Sequence, residues 1–167
     1  MKKIYLAFAL LFSAILVQAA YSDTVKLYHP EANASKDISE AIKQAKKDKK
    51  HVLIQAGGNW CSWCIRFNGF TTGDQKMDSA IKADYIVYHL NYSSENKNYE
   101  VFKKYGFPQR FGFPVFLILD GNGTLIHTEN SSYLEEGKGY NKGKILEFLH
   151  NWSPGAMDEE KYKSDKK

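Results

Sequence analysis

The chain's only two cysteines stand two residues apart in Trp60-Cys61-Ser62-Trp63-Cys64. They follow the apolar run His51-Val52-Leu53-Ile54-Gln55-Ala56, which Gly57-Gly58-Asn59 breaks. A CxxC at the end of a strand and the start of a helix is a recurrent arrangement for a redox dithiol. The helix N-terminus offers unpaired N–H groups and a partial positive charge, which favour thiolate at the first cysteine. The thiolate is the form that attacks disulfides. The motif thus proposes a nucleophile, Cys61, and a resolving partner, Cys64, with Ser62 and Trp63 between them.

Other chemistries fit the same residues poorly. A bridge between Cys61 and Cys64 closes a very short loop and restrains little of the unfolded chain, so a stapling role explains the pair badly. Zinc needs further ligands, yet His29, His51, His89, His127 and His150 are scattered singly, with no His-x3-5-His spacing. Haem attachment needs a histidine directly after the second cysteine, where this chain has Ile65. No metal and no cofactor are expected.

The elements that must position the pair are legible from periodicity. Ile38, Ala41, Ile42 and Ala45 mark an amphipathic helix over 35–49, with Asp37-Ile38-Ser39-Glu40 as a capping box at its start. His51 to Ala56 reads as a buried strand. A helix begins at the CxxC and runs to about Phe70, and a second covers Asp74 to Lys82. Tyr85 to Tyr92 is β-rich, and Asn98 to Tyr105 is a short helix ending at Gly106. The segment Phe107 to Phe113 reads as a loop. Pro114 opens the strand Val115 to Leu119, and Asp120-Gly121-Asn122-Gly123 turns it into a hairpin with Thr124 to Thr128. A Gly-rich loop follows, and Asn141 caps a last helix bearing Ile145, Phe148, Leu149 and Trp152. A further strand is expected near Thr24 to Tyr28. The order implies an α/β fold: a central mixed sheet with helices on both faces, a parallel crossover early and an antiparallel hairpin late.

The start of the chain reads as a signal peptide over 1–19: basic Lys2-Lys3, an apolar run from Ile4 to Val17, then Val17-Gln18-Ala19. That run is short for a spanning helix, which needs roughly 20 residues. Residues 20–34 form an N-terminal segment, 35–153 the folded domain, and 154–167 a charged flexible tail. The 23 Lys+Arg against 19 Asp+Glu are interspersed and nearly balanced, which argues against nucleic acid as a partner. The expected location is the bacterial periplasm or the exterior.

With a WCxxC at the strand–helix junction and Gly-x-Pro entering the hairpin, the chain resembles the thioredoxin fold from about Ser35 to Trp152. It is most similar to exported bacterial thioredoxin-like proteins. The resemblance implies that Cys61 is an exposed nucleophile forming a mixed disulfide with a protein substrate, which Cys64 then resolves. It implies a cis bond before Pro114, and substrate binding by the backbone just before it, at Gly112 and Phe113. Trp60, Trp63, Phe107, Phe111 and Phe113 are expected to form an apolar rim around Cys61 that docks polypeptide.

Two departures stand out. Thioredoxins carry a buried carboxylate six positions before the first cysteine, where this chain has Gln55, and a lysine where His89 falls. An amide accepts no proton at neutral pH. His89 titrates in the useful range but reads first as a solvent-facing strand residue. The loop Gly106 to Gly112 is also about three residues longer than the family's. The implied activity is exported thiol–disulfide exchange, as a reductase or electron relay. The implied partners are protein substrates and a redox partner such as a membrane thiol–disulfide transporter, with the chain a monomer. The alternative is a non-catalytic binding or chaperone module whose CxxC stays locked as a disulfide.

Overall fold

The computed structural model describes residues 26–166. The expected signal peptide, residues 20–25 and Lys167 lie outside the described residues. In chain order the elements are α1 (Ala34–Asp48), β1 (His51–Gly57), α2 (Ser62–Thr72), α3 (Gln75–Asp84), β2 (Tyr85–Asn91), α4 (Tyr99–Lys104), β3 (Val115–Leu119), β4 (Leu125–Asn130), β5 (Glu135–Glu136), β6 (Gly139–Tyr140) and α5 (Lys142–Asn151). The main sheet has the order β2-β1-β3-β4. β1 runs parallel to β2 and antiparallel to β3, and β3–β4 is the antiparallel hairpin.

Both faces of the sheet are covered. Strand alternation sends Val52, Ile54, Ala56, Val115, Leu117 and Leu119 to one face, under Ile38 and Ala45 of α1 and Phe102 of α4. Leu53, Phe116 and Ile118 face the other way, against Phe67 of α2, Met77 of α3 and Ile145, Phe148 and Leu149 of α5. β1 is buried along its whole length, which is why it reads as a mainly apolar run rather than an alternating one.

Polar side chains set the helix ends. Asn33, Asp74 and Asn141 each cap a helix by accepting backbone N–H bonds. The capping box expected at Asp37 to Glu40 is therefore displaced: α1 starts earlier, because Asn33 accepts from Lys36 N at 3.1 Å.

Other differences from the sequence reading are local. Lys26 to Tyr28 is irregular chain, not a strand. The expected loop before Pro114 contains a 3-10 helix, Pro108–Phe111. The Gly-rich loop holds another, Ser131–Leu134, and the small hairpin β5–β6. Residues 159–166 form a 3-10 helix, Glu159–Lys166, where a flexible tail is expected. These pieces are too short to carry a periodic signal. Among the described residues no helix is long and apolar enough to cross a membrane.

Candidate redox site

β1 ends at Gly57, and a tight loop delivers Cys61 to the N-cap position of α2. Cys61 N–H donates to Gly58 O at 2.9 Å, which fixes the loop. Cys61 Sγ in turn accepts the Cys64 backbone N–H at 3.1 Å. The cap has no Ser, Asp or Asn to fill it, so the sulfur takes that role, and the helix's positive end points at the first cysteine. Cys61 and Cys64 are joined by a disulfide, with Cα atoms 5.2 Å apart.

Cys64 is fully buried and Cys61 is only 5 % exposed. The expectation of an exposed Cys61 is thus corrected. Tyr28, Leu27, Trp63 and Phe113 pack around the pair and cover it. The approach of the chain to Cys64 also requires a glycine at 57. A Cβ there would lie 2.4 Å from Cys64 Sγ and 2.8 Å from Tyr28 Oη.

The Phe113–Pro114 peptide bond is cis. Pairing of Val115 with Ala56 brings this bond to the same end of the sheet as the cysteines. Gly112 holds φ 84°, a left-handed conformation that glycine adopts without steric cost.

Of the five aromatic residues expected around Cys61, Trp63 and Phe113 pack on the pair and Trp60 meets Phe113, while Phe107 and Phe111 pack elsewhere. Phe113 packs on Tyr92 at 5.0 Å and meets Trp60 edge-on at 5.6 Å between ring centroids. Trp60 is 60 % exposed, and its indole N–H donates to Tyr92 O at 2.7 Å. Trp63 is half-buried, edge-on to Tyr140 at 5.4 Å, with the Arg66 guanidinium over its ring. Phe107 instead packs with Tyr99, and Phe111 lies under Arg110. Ser62 is the first residue of α2 and is exposed.

Gln55 is buried. Its Nε2 donates to Tyr28 Oη at 2.7 Å and to Cys64 O at 3.0 Å. Across the sheet, its register partner is His89. The reading of His89 as solvent-facing is corrected: its ring is half-buried and packs edge-on against Tyr28, 5.6 Å away. Burial, with a smaller push from His29, lowers its pKa to about 4. His89 is therefore neutral at pH 7 and a weak base, not a group titrating near neutrality.

Tyr28 is the residue that sequence reasoning misses. It is fully buried, and Asn59 clasps its backbone twice: Tyr28 N donates to Asn59 Oδ1 at 3.0 Å, and Asn59 Nδ2 donates to Tyr28 O at 2.7 Å. Its sequence signal is only the apolar pair Leu27-Tyr28 between Lys26 and His29. Among the described residues no cluster of His, Cys, Asp and Glu is arranged to hold a metal ion.

A family model described as thioredoxin-like matches residues 32–121. No curated protein matches the chain. Among solved structures, the disulphide isomerase from Xylella fastidiosa Temecula1 is similar at 22% identity and TM-score 0.65, covering 74% of this chain and 94% of that one. The oxidised C-terminal domain of Neisseria meningitidis DsbD is similar at 17% identity and TM-score 0.51, with 71% and 95% covered. A thioredoxin from Thermus thermophilus is similar at 18% identity and TM-score 0.52, with 68% and 81% covered.

Proposed function

Because the chain belongs to the thioredoxin-like family, we propose that it exchanges disulfides with polypeptide substrates through Cys61 and Cys64. The observation that carries this reading is the placement of Cys61 Sγ at the helix N-cap, where it accepts the Cys64 N–H. An N–H and a helix dipole aimed at a sulfur stabilise its anion and lower its pKa.

In the reducing direction the Cys61 thiolate attacks a substrate disulfide and releases one substrate sulfur as a thiolate. Cys64 then loses its proton and attacks Cys61 Sγ. The Cys61–Cys64 bond forms, the mixed disulfide breaks, and the second substrate sulfur leaves. Two electrons pass to the substrate, and the two thiol protons end on its sulfurs. The same steps run backwards oxidise a dithiol. We favour the reducing or relaying direction, in the periplasm or outside the cell. Electrons would then come from a redox partner such as a membrane thiol–disulfide transporter, and the protein would act as a monomer. Substrate would lie along Gly112, Phe113 and Pro114 with Trp60 and Trp63 beside it, and Phe111 further along the loop.

Reduction of insulin disulfides by the pre-reduced protein tests this reading. Turnover is expected for the wild type and none for Cys61→Ser, while Cys64→Ser accumulates a mixed disulfide visible on a non-reducing gel. The cover over Cys61 and the amide at Gln55 favour a second reading, a binding module with a locked disulfide. A Cys61 pKa near 8.5, the value of an unperturbed thiol, together with no turnover, would establish that reading instead.

A further inference from the structure

The thiol–disulfide reading leaves one problem open: which group attends the Cys64 sulfur where the family's buried carboxylate is absent. The hydrogen bonds around Gln55 point to Tyr28. Cys64 O is a backbone carbonyl and can only accept, so the side of Gln55 that faces it, at 3.0 Å, must be the NH2 group. The same Nε2 lies 2.7 Å from Tyr28 Oη, so the phenol oxygen accepts there. This fixes the amide orientation. It also spends the hydroxyl's acceptor side on Gln55 and leaves its own proton to be donated.

Among the described residues Tyr28 Oη accepts from Gln55 and donates to no acceptor, in a side chain that is fully buried. The neighbour available is Cys64 Sγ. Tyr28, Cys61 and Cys64 form one buried cluster, and the Tyr28 oxygen and Cys64 sulfur both border the space that a Cβ on Gly57 would occupy, 2.8 Å and 2.4 Å from it. In the disulfide that sulfur is neutral and a poor acceptor; once reduced, its thiolate is a strong one.

We propose that Tyr28 is a catalytic residue of the resolving step, donating its hydroxyl hydrogen bond to the Cys64 thiolate, with Gln55 as the positioning residue that orients it. The proposal rests on the dithiol reading above. It replaces a proton-accepting carboxylate with a donor that stabilises the anion after the proton has left. Burial holds the Tyr28 phenol well above its ordinary pKa, so it stays a donor across the working pH range.

The titratable groups around this sulfur are few. α2 brings Cys61, and the N-terminal segment brings Tyr28. His89 on β2 packs behind Tyr28, and Tyr140 on β6 donates to Trp63 O at 3.2 Å. β1 contributes Gln55 and Gly57, neither of which titrates.

The test uses the Cys61→Ser protein labelled with 13Cβ-cysteine, in which Cys64 gives the single cysteine signal. Tyr28→Phe in this background is expected to raise the Cys64 pKa by about one unit or more, the size of a hydrogen bond to a charged group. With Cys61 intact, resolution of the mixed disulfide at pH 7 should slow about threefold, since the lost thiolate fraction is partly offset by higher intrinsic nucleophilicity. An unchanged Cys64 pKa in a folded Tyr28→Phe protein overturns the proposal. If that variant does not fold, 13Cζ-tyrosine spectra of the Cys61→Ser protein decide. A tyrosine signal that moves with the Cys64 titration supports the contact, and no such movement overturns it. Insulin turnover is scored separately: its absence alongside a shifted Cys64 pKa rejects the enzyme while leaving the hydrogen bond in place.

Discussion

Gln55 and His89 sit opposite each other on neighbouring parallel strands. His89 is therefore held near the redox pair in a half-buried site that pushes its pKa from 6.5 down to about 4. The unfolded chain binds a proton through that interval while the folded chain does not. Stability from this residue is complete above about pH 6.5 and is lost as the pH falls toward 4, by at most about 3 kcal/mol. Urea midpoints measured from pH 7 to pH 4 should fall for the wild type and fall less for His89→Phe. Parallel curves for the two proteins would remove His89 as the cause.

Gly57→Ala should destabilise the protein and disturb the cysteines together. The added methyl would overlap Cys64 Sγ and Tyr28 Oη, and forced overpacking of a rigid site costs about 1–3 kcal/mol. The urea midpoint of the oxidised protein reads this directly. A midpoint equal to the wild type's would mean that the site gives way easily.

Much of this was written in the sequence. His51 to Ala56 shows no polar alternation because the strand is buried on both faces, with Gln55 as the polar side chain inside it, and Asn141 stands as a cap ahead of a periodic helix. Pro114, two residues after Gly112, marks the hairpin entry. What stayed hidden depends on pairing distant residues. Nothing local tells that Tyr28 reaches over β1 to Gln55, since the contact spans many residues and its signal is a single aromatic in irregular chain. His89 misleads for a related reason. Period-two alternation places it on a face, but what covers that face comes from the N-terminal segment. The β5–β6 hairpin is too short for any periodicity to show.

Trp60→Ala separates docking from chemistry. The indole is mostly exposed and held by one hydrogen bond to Tyr92 O, so its loss should cost about 1 kcal/mol of stability or less. Exposed tryptophans are strong contributors to protein interfaces. The rate with insulin should drop several-fold more than the rate with a small aromatic disulfide. An equal drop on both would place Trp60 in the chemistry or the fold rather than in docking.

Phe67→Ala tests how α2 is anchored beneath the cysteines. Phe67 is buried, 4.4 Å from Phe116 and 5.1 Å from Tyr140 between ring centroids. Truncation should cost about 3–5 kcal/mol, measured by urea unfolding. A loss below about 1 kcal/mol would show that α2 is held from elsewhere.

The double clasp between Asn59 and the Tyr28 backbone has a mechanical consequence. It ties the loop that leads into the cysteines to a stretch of chain lying ahead of the first helix. A pull on Tyr28 would therefore reach the cysteine loop through Asn59 as directly as it reaches β1 through Gln55. The redox centre is in effect moored by the irregular chain ahead of α1, and loosening that mooring would loosen the cover over Cys61.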